Sequence, residues 1–140
     1  MRENQQYFSL VYGVVDLEES ELVYANAGHP AIIHLSKEAG ARMLDCDGYP
    51  IGMMEEHDEV QQEAVPLAKG DRLIFHSDGL SDSMSEAGEV FGAARIIAAA
   101  QQGQGVALDL FTQSLLEESA KWHGGCDPGD DTSIVAIELA

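Results

Sequence analysis

Two carboxylates stand where this chain could do chemistry. Asp78 lies in the run LIFHSDGL at residues 73–80, and Asp130 in PGDDTSIVAI at residues 128–137. In each, an acid marks the boundary between an apolar strand and a glycine-containing turn. From that position a side chain can project into a cleft while its backbone is held by a sheet. Carboxylates presented in this way are oxygen ligands for a hard divalent cation. Asp78 follows a strand-like run and Asp130 precedes one, so two different strands could aim carboxylates at one metal. Each acid also has a plainer reading: Asp78 as a turn aspartate bonded to its own backbone, and Asp130, beside Asp131, as a loop acid in an Asx turn. The same arrangement occurring twice in one short chain favours a shared purpose.

Other chemistries fit the composition less well. A carboxylate pair could form a general acid/base couple, as in glycosidases. Those enzymes add aromatic platforms, and a chain with a single Trp and 6% aromatic residues has few to offer. Ser77 lies in no Gly-x-Ser-x-Gly elbow, neither Cys has a glycine-rich nucleophile setting, and no Walker-type phosphate loop is present. His29, in the run NAGHP at 26–30, reads as a turn residue bonded to backbone. His34, His57, His76 and His123 have no histidine three or four residues away, which argues against zinc. Strand alternation would put His76 on the same face as Asp78. Met53 and Met54 read as core filling.

The elements that must position these acids are legible from pattern. Residues 7–17 are apolar, aromatic and β-branched, which predicts a strand buried on both faces. Residues 21–26 return as its hairpin partner across a polar turn at 18–20. The AGHP break at 27–30 ends that strand. Residues 31–35 resume it, and 42–44 pair back across a turn at 36–40, so a meander of three consecutive antiparallel strands is expected. Residues 47–52 form a loop, 53–58 are poorly patterned, and 59–67 suit an edge strand. A tight turn at 68–71 feeds the strand 72–76. Residues 93–102 are helix-favouring, and Gly103 and Gly105 interrupt them. A second helix runs from Val106 to about Trp122, with Ala107, Leu110, Phe111, Ser114, Leu115 and Glu118 on one face. Gly124 and Gly125 stop it, and residues 134–139 form the last strand. The layout is α+β: an antiparallel sheet with two helices packed on it, in a single domain.

With 140 residues, 45% hydrophobic and 23% charged, the chain has a soluble globular composition. The net charge of −18, from 25 acids and 7 bases, repels polyphosphate backbones and makes nucleic acid an unsuitable partner. Excess carboxylate suits cation binding too, although a solvated surface accounts for most of it. No apolar run approaches the roughly 20 residues of a membrane span, and no secretory signal opens the chain. Cys46 and Cys126 lie in no metal-ligand spacing and read as two free thiols in a reducing cytoplasm.

Five motifs occur in order: LVYANAGHP at 22–30, GYPIG at 48–52, KGDRLIFHSDGLSD at 69–82, EVFG at 89–92 and DDTSI at 130–134. The series closely resembles the C-terminal portion of the bacterial PPM-type serine/threonine phosphatases of the SpoIIE and RsbU group. That resemblance implies a share of the PPM β-sandwich flanked by helices, with Asp78 and Asp130 as ligands of a binuclear Mn²⁺ or Mg²⁺ centre. Such a metal pair, about 3.5–4 Å apart, clamps phosphoryl oxygens and activates a bridging water. By the same resemblance Gly79 lets the turn approach the metal, Asp131 supports the ligands, and Asn26 and His29 are structural. Ser77 stands where the family commonly has Thr, and Asp82 where it has Glu.

Two upstream acidic motifs of that family have no counterpart before Phe8, so the chain is expected to correspond to the C-terminal part of the domain. It would then hold part of the metal site, show no substantial phosphatase activity by itself, and self-associate through uncovered surface. The complete protein would act on a phosphoprotein, such as an anti-sigma-factor antagonist, and would carry an N-terminal sensor or response-regulator receiver domain. The alternative is a phosphatase-like interaction module that binds a sigma-factor regulator without catalysis, its negative charge facing a basic partner.

Overall fold

The carboxylate of Asp16 turns the chain at its first hairpin by accepting the N–H groups of Glu18 and Glu19, at 2.9 and 3.0 Å. This local bond satisfies donors that a four-residue reversal would otherwise leave open. The structure is a computed structural model, and it describes residues 6–54, 60–125 and 129–140. In chain order its elements are β1 (Leu10–Asp16), β2 (Glu21–Ala27), β3 (Ile32–Ser36), β4 (Gly40–Leu44), β5 (Glu63–Pro66), β6 (Arg72–His76), α1 (Asp78–Ser81), α2 (Gly92–Gln102), α3 (Leu108–His123) and β7 (Ile134–Glu138). They divide into two compact units. One comprises the described parts of Met1–Ala31 and Asp45–Leu67, the other Ile32–Leu44 with the described parts of Ala68–Ala140.

The first unit is a three-stranded antiparallel sheet in the order β1-β2-β5. The hairpin β1–β2 and the edge strand β5 occupy their expected places. Burial of β1 does not follow expectation: Leu10, Tyr12 and Val14 are 43%, 67% and 52% exposed. The strand lies at a sheet edge, and these alternate residues stay largely open, Leu10 and Tyr12 lining a cavity with Tyr49, Pro50 and Ile51. An apolar run therefore does not by itself mean burial on both faces. Leu22 and Tyr24 of β2 are buried, and the Tyr24 hydroxyl donates to the carbonyl of Asp45 at 2.9 Å.

The meander also needs correction. β2 and β3 do not pair; the chain leaves one sheet at β2 and enters another at β3. The break at 27–30 is thus a crossing between sheets. Asn26 fastens it, donating from Nδ2 to the carbonyl of His29 at 2.9 Å and accepting the His29 N–H on Oδ1 at 2.8 Å. His29 Nδ1 lies 3.0 Å from Ser9 Oγ. Both residues hold a turn together.

The second unit is a four-stranded antiparallel sheet, order β4-β3-β6-β7, with α1, α2 and α3 contributing to its core. Ile33 and Leu35 of β3 and Ile74 of β6 share one face and pack with Leu80, Ile96, Phe111 and Leu115 from the helices. The helical face of α3 is rotated from the expected one. Phe111, Leu115 and Ser119 are buried, whereas Leu110 is 55% exposed. The i, i+4, i+8 row faces the sheet, so Leu110, one step off it, points outward. α3 ends at Gly124, whose left-handed φ of 63° lets its N–H reach back to Ala120. Arg72 crosses this core with its guanidinium 4.8 Å from the Phe111 ring centre, and donates to Glu138 Oε2 at 2.6 Å and to the carbonyls of Gly103 and Val106. Among the described residues no helix is long and apolar enough to cross a membrane. His57 and Cys126 lie outside the described residues; Cys46 is a free thiol.

Candidate metal centre

β6 and β7 are antiparallel neighbours, paired from Arg72↔Glu138 to His76↔Ile134. The end at which β6 finishes is therefore the end at which β7 begins. Asp78 lies just past that end on one strand and Asp130 just before it on the other, so the topology carries both acids to the same edge of the sheet. The strands stay joined one step further, because the Ser77 N–H donates to the carbonyl of Ser133 at 3.0 Å.

Side chains reinforce the junction. Ser77 Oγ accepts the Ser133 N–H at 2.9 Å and lies 3.3 Å from the Asp131 carbonyl, to which it donates. Gly79 is buried, and a Cβ added there would overlap the Asp131 carbonyl oxygen, 2.9 Å from its carbon and 3.0 Å from Thr132 Oγ1. Only a residue without a side chain lets the start of α1 pack so closely on the 131–132 backbone.

Asp78, Asp130 and Asp131 are all exposed. The Asp78 carboxylate makes no hydrogen bond among the described residues. Asp130 Oδ1 accepts the N–H of the next residue, Asp131, at 2.8 Å, a local bond one residue short of the Asx turn expected of a loop acid, and its other oxygen makes no hydrogen bond among the described residues. An exposed all-oxygen donor set of this kind fits Mg²⁺ or Mn²⁺, which retain several waters when only one or two carboxylates reach them. Among the described residues no group of three His, Cys, Asp or Glu is assembled to hold a metal. The donor type of Asp78 and Asp130 fits such ions, with no complete ligand set assembled among the described residues.

His76 does not join them. β6 ends at His76, so strand alternation stops relating it to Asp78; its ring is buried and Nδ1 lies 3.0 Å from the Ser77 carbonyl oxygen. Sequence reasoning considers Ser77 as a nucleophile and as a replacement for the family's Thr, and misses its place in the junction. The signal available was a hydroxyl directly between a strand and the candidate ligand. A buried hydrogen-bonded pair, His34 Nε2 with Asp71 Oδ2 at 2.8 Å, was also not foreseen. Asp71 further accepts the N–H groups of Lys37 and Ala68, both at 3.0 Å. Burial opposes ionisation of Asp71, but the His34 contact and these two backbone donors outweigh it and hold the carboxyl below its ordinary value.

The fold defines a class. The structure superposes on the SiaA PP2C domain of Pseudomonas aeruginosa with a TM-score of 0.79 at 22% identity, covering 94% of this chain and 51% of that one. Its fold is accordingly that of PP2C phosphatase domains. Residues 1–140 match the family model described as Stage II sporulation protein E (SpoIIE), and the chain belongs to that family. Protein IcfG of Synechocystis is 28% identical over 134 residues, 94% of this chain and 20% of that protein. The phosphoserine phosphatase RsbP of Bacillus subtilis is 29% identical over 80 residues, 57% of this chain and 20% of that protein. The chain thus spans about a fifth of the length of these curated relatives.

Proposed function

We propose that this chain is part of a Mn²⁺- or Mg²⁺-dependent phosphatase domain that removes phosphate from serine or threonine of a regulatory protein in the bacterial cytoplasm. The observation that carries the reading is the antiparallel β6–β7 pair, which delivers Asp78 and Asp130 to one sheet end in a chain of the SpoIIE family. Asp78 and Asp130 would each supply carboxylate oxygens to the centre, and Gly79 would let the turn close on it. A bound pair of such ions stabilises charge on the phosphoryl oxygens and raises the acidity of water. Asp78, exposed and free of hydrogen bonds among the described residues, is positioned to bind without first breaking an internal contact. Asp130 keeps one oxygen on its own loop, which fixes the direction of the other. The remaining ligands would come from residues beyond these two segments. A phosphorylated regulator of a sigma factor is the partner this reading favours, with an N-terminal sensor or receiver domain governing access.

The test is phosphate release from a phosphoserine protein by the full natural protein in Mn²⁺. Asp78→Asn is expected to lower kcat/KM by at least about 100-fold. Unchanged turnover in that variant would overturn the reading. A protein that binds the phosphoprotein without releasing phosphate would favour a non-catalytic interaction module instead.

A further inference from the structure

We infer that Ser77 is the positioning residue that fixes the spacing of Asp78 and Asp130, through a hydroxyl that substitutes for a backbone carbonyl. This rests on the reading of those acids as ligands of one centre. In a regular antiparallel ladder every second opposed pair exchanges two backbone bonds, each residue giving an N–H and a carbonyl, and the β6–β7 register puts Ser77 opposite Ser133 at such a position. Ser77 and Ser133 exchange only one of these: the Ser77 N–H reaches the Ser133 carbonyl at 3.0 Å. The Ser77 carbonyl has turned away. It accepts the N–H of Leu80 at 3.2 Å, which starts α1, and lies 3.0 Å from His76 Nδ1. The Ser133 N–H would be left without its ladder acceptor, and Ser77 Oγ takes that role at 2.9 Å.

One hydroxyl thereby reconciles two requirements that conflict. The chain must leave the sheet at residue 77 to begin α1, yet β7 must stay paired up to the loop that carries Asp130. The hydroxyl also donates to the Asp131 carbonyl, at 3.3 Å, next to the second acid. Ser77 itself is extended, with φ −77° and ψ 162°, a conformation β-branched residues adopt readily. Threonine can therefore reproduce both bonds, and valine can reproduce threonine's shape without either.

The experiment compares Ser77→Thr with Ser77→Val in the full natural protein, titrating Mn²⁺ alone by calorimetry and electron paramagnetic resonance, with Asp78→Asn as reference and thermal melting recorded for each. Ser77→Thr is expected to bind as the wild type does, and Ser77→Val about 10–100-fold more weakly. Melting reports any structural loss separately, and rescue by threonine at similar size isolates the hydroxyl. Equal affinity in the two variants would overturn the positioning role while leaving the centre intact. Wild-type affinity retained in Asp78→Asn, or no Mn²⁺ binding by the wild type, would overturn the centre and the positioning role together. If the valine variant does not fold, hydrogen exchange in the wild type decides: the Ser133 amide is expected to slow when Mn²⁺ is added, and an unchanged rate would overturn the role.

Discussion

Asp71 shows how much a single side chain can hold in this fold. Its two oxygens accept from His34, Lys37 and Ala68, and so tie the turn after β3 to the turn before β6. Because its folded-state pKa is lowered, its contribution to stability is complete above the unfolded value of about 3.9 and is lost as pH falls through the folded value. Asp71→Asn is expected to cost about 1–3 kcal/mol at pH 7, with the difference from wild type shrinking in acid, as read by urea unfolding at pH 7 and pH 3. A pH-independent difference would contradict it. The pair could not be read from sequence, because His34 and Asp71 are 37 positions apart and only the β3–β6 pairing brings them together. The strand ends that carry Asp78 and Asp130 could be read for the opposite reason: each is marked by local glycine and apolar pattern, and β6 and β7 pair antiparallel.

At the scale of elements, α3 locks the helical layer to its sheet. Phe111 is fully buried, packs with Ile74 and Leu35, and carries the Arg72 guanidinium on its ring. Phe111→Ala is expected to destabilise the fold by about 3–5 kcal/mol, from the cavity and the lost stacking together, measured as a lower urea midpoint. A shift below about 1 kcal/mol would mean that the helix repacks around the gap. Period and punctuation sufficed to foresee both long helices, the hairpins and the final strand. They failed where tertiary context decides. The break at 27–30 reads equally as a turn within a sheet or a crossing between sheets, and Leu110 matches a helical period whose phase only the sheet determines.

For the molecule as a whole, charge and exposed apolar surface oppose each other. Leu10, Tyr12 and Val14 line the exposed face of the edge strand β1, an arrangement suited to pairing with a second copy. A net charge of −18 repels that copy. Screening shortens from about 10 Å at 0.1 M salt to about 3 Å at 1 M, so self-association of these 140 residues is expected to strengthen with ionic strength. Sedimentation velocity at high concentration reads this directly, and Tyr12→Lys is expected to reduce it. A monomer at all salt concentrations would contradict the expectation.

The central claim, that Asp78 and Asp130 serve one metal, is met most directly by anomalous diffraction from crystals of the full natural protein soaked in Mn²⁺. The expected result is a manganese peak about 2.0–2.2 Å from a carboxylate oxygen of each, at the common end of β6 and β7. A peak bound elsewhere, or none touching either aspartate, would contradict the claim.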